Sequence, residues 1–186
     1  SINSIDDVDY KLDKLLSPDL LKSAKEAANL LIKKIDRKDK IIIIGDYDAD
    51  GATATACGYI GLKKFGADVE FIVPNRFKFG YGLTPEIVEL ASEKKPDLII
   101  TVDNGIASIE GVSNAREKGI DVLITDHHLP ADILPDANFI INPNQPDCKF
   151  PSKNLCGVGV IFYLLLSLRA FYRNEGKFSN TSEPKL

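Results

Sequence analysis

The sequence has no methionine, only three cysteines and no long apolar run. Cys57, Cys148 and Cys156 are scattered, form no CxxC pair and lack zinc-finger spacing. That excludes a disulfide framework and leads us to expect reduced thiols in the cytoplasm. The longest nearly apolar stretch, Leu155 to Leu168, falls short of the roughly 20 residues a membrane-spanning helix needs, and reads as a buried helix. Asp6, Asp7 and Asp9 stand where a signal peptide would carry basic residues. Basic charge is also scarce: 23 Lys and Arg against 27 Asp and Glu give a net charge of −4. A nucleic-acid coat protein, which binds through basic surface, is therefore not expected; an enzyme that meets phosphates through metal ions is not excluded. The missing methionine, the Ser1-Ile2 start and the polar end from Asn174 lead us to expect a piece of a longer protein.

What is present suits a soluble globular chain: 186 residues, 44% apolar and 27% charged. Ser17-Pro18 opens a helix in which Leu20, Leu21, Ala24, Ala27, Ala28, Leu31, Ile32 and Ile35 recur at helical spacing. From Lys40 strands and helices alternate. Strands are expected at Ile41–Ile44, Val69–Val73, Leu98–Val102, Ile120–Thr125 and Ile140–Ile141. Helices are expected at Ala52–Phe65, from Thr84-Pro85 to Lys95, at Ile106–Lys118 and at Val158–Tyr172. This order predicts an α/β fold: a doubly wound, mostly parallel sheet of about five strands with helices on both faces, preceded by an N-terminal helix. The expected organisation is a helical lead-in over 1–39, a metal-site domain over 40–173 and a polar tail over 174–186.

Ligands of open α/β sheets bind beyond the carboxyl ends of the strands. The first strand is followed by Gly45-Asp46-Tyr47-Asp48-Ala49-Asp50-Gly51, the third by Asp103-Asn104-Gly105, and the fourth by Asp126-His127-His128, the chain's two histidines. Any one such aspartate reads as a turn or cap residue. Together they are different, because carboxylates about 4 Å apart repel by roughly 4 kcal/mol at an effective dielectric near 20. A rim that gathers several calls for a cation. Carboxylates with imidazole and no thiolate favour Mn²⁺ or Mg²⁺.

These three motifs resemble those of the DHH phosphoesterase superfamily, and the GDYDADG form is similar to its RecJ branch, single-strand-specific 5′-to-3′ DNA exonucleases. Val73-Pro74-Asn75-Arg76-Phe77, Gly80-Tyr81-Gly82-Leu83, Ile141-Asn142-Pro143 and Cys156-Gly157-Val158-Gly159-Val160 agree with that branch. The resemblance implies two metal sites, Asp46 for the first, Asp48 and His127 for the second, and Asp103 bridging them. It places His128 at the scissile phosphate and implies that Asp126 orients a neighbouring imidazole. Asp50 has no metal role in the pattern and is expected to cap the following helix. The implied reaction is phosphodiester hydrolysis assisted by two metal ions, in DNA repair and recombination. Single-stranded DNA is the implied partner, with single-strand-binding protein and a helicase; no membrane is involved and a monomer is expected.

Two departures qualify the likeness. Many relatives carry histidine four residues before the first motif aspartate, where this chain has Ile42, and the family's fourth motif has no counterpart after His128. The second metal site is thus expected to be incomplete and the chain weakly active or inactive. Arg76 amid Phe77, Lys78, Phe79 and Tyr81 suits a phosphate contact beside rings that stack on bases or pack beneath the loop. Backbone N–H groups at Gly157 and Gly159 suit either a phosphate or close helix packing. Rival readings are a DHH phosphodiesterase for short oligonucleotides or cyclic dinucleotides, a pyrophosphatase-like relative, and a non-catalytic scaffold.

Overall fold

The computed structural model describes residues 14–178 and 183–184. Asp6, Asp7 and Asp9, and residues 179–182 and 185–186 of the expected polar tail, lie outside the described residues. The strands are β1 (Lys40–Ile44), β2 (Asp68–Ile72), β3 (Leu98–Val102), β4 (Asp121–Thr125) and β5 (Phe139–Ile141). The helices are α1 (Ala24–Arg37), α2 (Ala49–Lys64), α3 (Arg76–Phe79), α4 (Pro85–Ser92), α5 (Ile109–Glu117) and α6 (Gly157–Asn174).

All strand pairs are parallel, in the order β2-β1-β3-β4-β5. Every isoleucine of β1 is buried, and the period-two pleat sends them alternately to opposite faces. Ile41 and Ile43 join a core built with α1, α2 and α6, while Ile42 and Ile44 join a second core with α4 and α5. The continuous apolar run in the sequence therefore feeds two cores at once, as a parallel strand covered on both faces must. The strand order reverses between β1 and β3, which opens a crevice at their carboxyl ends.

Local differences from the sequence reading have physical reasons. The N-terminal helix is broken. Ser17 and Pro18 start only a 3-10 turn (Pro18–Leu20), Leu21 then turns extended into the core, and α1 begins after Ser23 at a left-handed φ of 66°. α2 begins three residues earlier than expected because Asp48, not a later residue, is its N-cap. α3 was not expected: Asn75 accepts a hydrogen bond from the Phe77 N–H and starts a single turn that Gly80 ends. Ile42 is fully buried in the second core, so this position offers no ligand to the strand ends.

α6 is the apolar run read from the sequence, and Leu164, Leu165 and Leu168 fill the first core from it. Leu165→Ala is expected to lower the unfolding free energy in urea by about 2–5 kcal/mol, the range for leucine truncation in a packed core. A change below about 0.5 kcal/mol would show that α6 is not an integral part of that core.

Candidate metal centre

The loop after β1 turns sharply enough for Asp46 to remain buried, at 8% exposure. A Cβ at Gly51 would stand 2.6 Å from the Asp46 backbone, so only glycine lets the first turn of α2 pass this close. Asp48 caps α2 by accepting from the Gly51 N–H at 2.9 Å. Asp50, expected to cap that same helix, instead reaches across to α6. Its carboxylate accepts from the N–H groups of Gly157 (2.6 Å) and Val158 (2.9 Å). The donors read as a phosphate cradle at Gly157 are therefore engaged by Asp50. Gly157 serves close packing, since a Cβ there would stand 2.5 Å from Asp103 Oδ1, and Gly159 packs against Leu155.

After β3, Asp103 adopts a left-handed φ of 61°, rare for a residue with a side chain. The turn is held by its N–H to Thr125 O, by Thr101 Oγ1 donating to Asn104 O at 2.7 Å, and by Asn104 Nδ2 donating to Val102 O at 2.8 Å. The Asp103 side chain is 2% exposed, and its Oδ1 has no hydrogen-bond partner. His127 Nε2 lies 3.1 Å from that oxygen, close but out of hydrogen-bonding alignment. Beyond β4, Asp126 Oδ1 accepts from the N–H groups of His127 and His128 and from His128 Nδ1 at 2.7 Å, while Oδ2 accepts from the Ile106 N–H. Asn142 and Asn144 donate to the carbonyls of His128 and His127 and so brace the histidine pair from below.

The electrostatics follow from this packing. Burial, then the charges of Asp50 and Asp48, push the Asp103 carboxyl up to about 7. Burial opposes ionisation of Asp126, but hydrogen bonds from His128 and from the Ile106 and His128 N–H groups outweigh it and hold that carboxyl low. The same Asp126 bond raises His128, against its burial. The two shifts agree on a charged pair. Arg76 Nη2 lies 2.7 Å from both Asp46 oxygens, and its guanidinium sits 5.3 Å from the ring centres of Tyr47 and Tyr81. Arg76 is thus engaged by a carboxylate rather than standing free for a phosphate.

Ligand atoms of Asp46, Asp48 and Asp103 lie within 4.8 Å of one another, as do those of Asp103, His127 and His128. Asp103 is common to both groups. A buried, unpartnered carboxylate oxygen amid further carboxylates and an imidazole fits a hard divalent cation such as Mn²⁺ or Mg²⁺. The residues therefore fit the implied metals. Sequence reasoning missed Tyr81, the bracing asparagines and the reach of Asp50; the motifs that contain them were visible, but not their partners.

Residues 40–184 match the DHH family, N-terminal domain. The chain belongs to the DHH family. The chain is 48% identical over 184 residues to the single-stranded-DNA-specific exonuclease RecJ of Haemophilus influenzae, covering 98% of this chain and 32% of that relative. The chain thus spans about a third of the length of the curated relatives it matches. Among solved structures it resembles exonuclease RecJ bound to manganese, with a TM-score of 0.76, 37% identity, and coverage of 87% of this chain and 40% of that one. RecJ of Thermus thermophilus in complex with Mn²⁺ follows at a TM-score of 0.69 and 36% identity, with coverage of 84% and 22%.

The raised Asp103 carboxyl of the DHH domain has a consequence for stability. The folded state holds this proton more tightly than the unfolded chain, whose value is near 3.8, so in metal-free protein its contribution is intact below about pH 4 and lost as pH rises through about 7. Asp103→Asn, which cannot ionise, is expected to raise the urea midpoint of the metal-free chain at about pH 8 and leave it unchanged at about pH 4. A lower midpoint at both values would show that the carboxylate is not under electrostatic strain.

Proposed function

We propose that this chain is the metal-site domain of a single-stranded-DNA exonuclease that removes nucleotides from the 5′ end, in DNA repair and recombination. The observation that carries this reading is the partnerless Asp103 oxygen, buried where Asp46, Asp48 and His127 converge. Kinship with RecJ proteins supports the choice of substrate. Bound at these residues, two divalent cations would activate water and neutralise charge on the phosphate. Asp46 would hold the first, Asp48 and His127 the second, and Asp103 both.

The chain's own groups supply the rest. His128 donates Nδ1–H to Asp126, so Nε2, with the Tyr81 hydroxyl 3.4 Å away, is the ring nitrogen that serves the substrate. The charge that Asp126 favours on the ring lets His128 stabilise the developing negative charge or hand a proton to the leaving oxygen. A cleft of ≈ 580 Å³ opens on the His128 flank, lined by Tyr81, Leu83, Thr84, Ser108 and Leu129, and has room for a nucleotide. Phe77 is 92% exposed on α3 beside Arg76 and gives a ring for a base to stack on. Arg76 serves as the phosphate contact by exchanging Asp46 for the substrate, while Gly157 and Gly159 act through packing, the Gly157 N–H being taken by Asp50.

The metal-site domain is taken as 40–173, with 1–39 as lead-in and 174–186 as tail. Three free cysteines support a cytoplasmic, reducing setting. No helix among the described residues is long and apolar enough to cross a membrane. A monomer that works with single-strand-binding protein and a helicase completes the proposal.

The test offers this chain, with Mn²⁺ or a chelator, a long 5′-phosphorylated DNA strand, its duplex, a trinucleotide and pyrophosphate. Slow, chelator-sensitive loss of 5′ nucleotides from the single strand is expected, absent in Asp103→Ala. Preference for the trinucleotide or pyrophosphate would overturn the exonuclease reading.

A further inference from the structure

Tyr81 stands between Gly80 and Gly82, both at positive φ (77° and 78°), so the chain pivots on either side of it and its half-exposed side chain lies over the site. Its hydroxyl lies 3.3 Å from the main-chain carbonyl of Asp103. The same oxygen is 3.3 Å from His128 Nδ1 and 3.4 Å from Nε2, nearly equidistant from the two ring nitrogens. The two rings meet edge to face, with centres 5.9 Å apart and planes at 81°. The Tyr81 ring also carries the Arg76 guanidinium that holds Asp46. One side chain thus touches groups that follow β2, β3 and β4, and through Arg76 it reaches the Asp46 that follows β1.

The donor assignments follow from chemistry. A carbonyl oxygen can only accept, so the Tyr81 O–H donates to Asp103 O. With that proton used, the hydroxyl meets the imidazole through its lone pairs, which favour a charged ring. Asp126 fixes His128 at Nδ1 alone, and a single bond leaves the ring free to tilt about that point. His128 is also 46% exposed, so packing restrains it little. A second point of contact is required if Nε2 is to hold one position.

We infer that Tyr81 is a positioning residue whose hydroxyl fixes the His128 ring at a set distance from the Asp103 turn. This rests on the exonuclease reading above only for its kinetic consequence. The aromatic body has a separate task, carrying Arg76, and Tyr81→Phe preserves it while deleting the oxygen. A small displacement of a reacting group can lower turnover by about 100-fold, so loss of one of two restraints is expected to reduce kcat about 10-fold. KM and Mn²⁺ affinity should stay within about two-fold, because Tyr81 is no metal ligand and Tyr81→Phe keeps the ring that lines the cleft.

The chain's two histidines make the test direct. The full chain is labelled with ¹⁵N at histidine and observed with Mg²⁺, for wild type and Tyr81→Phe. Expected is a shift or broadening of the His128 ring nitrogens, with His127 and the backbone spectrum unchanged, alongside the kcat loss at constant KM. Unmoved His128 signals would overturn the proposal. So would a variant in which His127 moves equally and Mn²⁺ affinity falls, since that marks general damage to the site. If wild type itself leaves single strands intact, the exonuclease reading fails while the ring signals still decide the role of Tyr81.

Discussion

A buried carboxylate with an oxygen that accepts no hydrogen bond is among the most costly groups a fold can hold, and Asp103 is that group here, with only the His127 imidazole close by. It sits where the sheet reverses strand order, so β1 delivers Asp46 and Asp48 to the same crevice and β4 delivers the histidines. Its backbone is forced left-handed to aim the side chain inward. Much of what surrounds it answers that one demand. Gly157 keeps the α6 backbone close to its carboxyl, Thr101 and Asn104 hold the turn, and the Arg76 guanidinium covers the neighbouring Asp46.

The helices contribute charge as well as packing. α2 and α6 both start at the site, one capped by Asp48 and the other by Asp50. Helix N-termini carry partial positive charge, which offsets part of the crowding among the carboxylates. Asp50 also ties the chain across 107 residues, so the helix that fills the first core is anchored at the metal centre. Stability and function are coupled through that bond.

The sheet, its parallel sense and the two covered faces were legible because β1 and β3 are almost wholly apolar and are separated by helix-length segments. The carboxylate rim was legible for the same reason, since each motif directly follows a strand. What could not be read depends on distances between segments remote in sequence. Asp50 looked like a local cap because its partners lie on α6, and Arg76 looked like a free cation because nothing nearby in sequence is its counter-ion. Tyr81 appeared as a loop aromatic, and only the fold brings its hydroxyl to Asp103 and His128. The break before α1 was hidden because Leu20 and Leu21 fit the helical period while Ser23 gives no sign of its left-handed backbone.

The central claim is that Asp103 is buried for the sake of a cation shared with Asp46, Asp48 and His127. It is tested most directly by growing crystals of the chain with Mn²⁺ and locating the metal from its anomalous scattering. Manganese bonded to the Asp103 carboxylate and to at least one of Asp46, Asp48 and His127 is the expected result. Manganese bound elsewhere, with Asp103 still without a partner, would contradict the account.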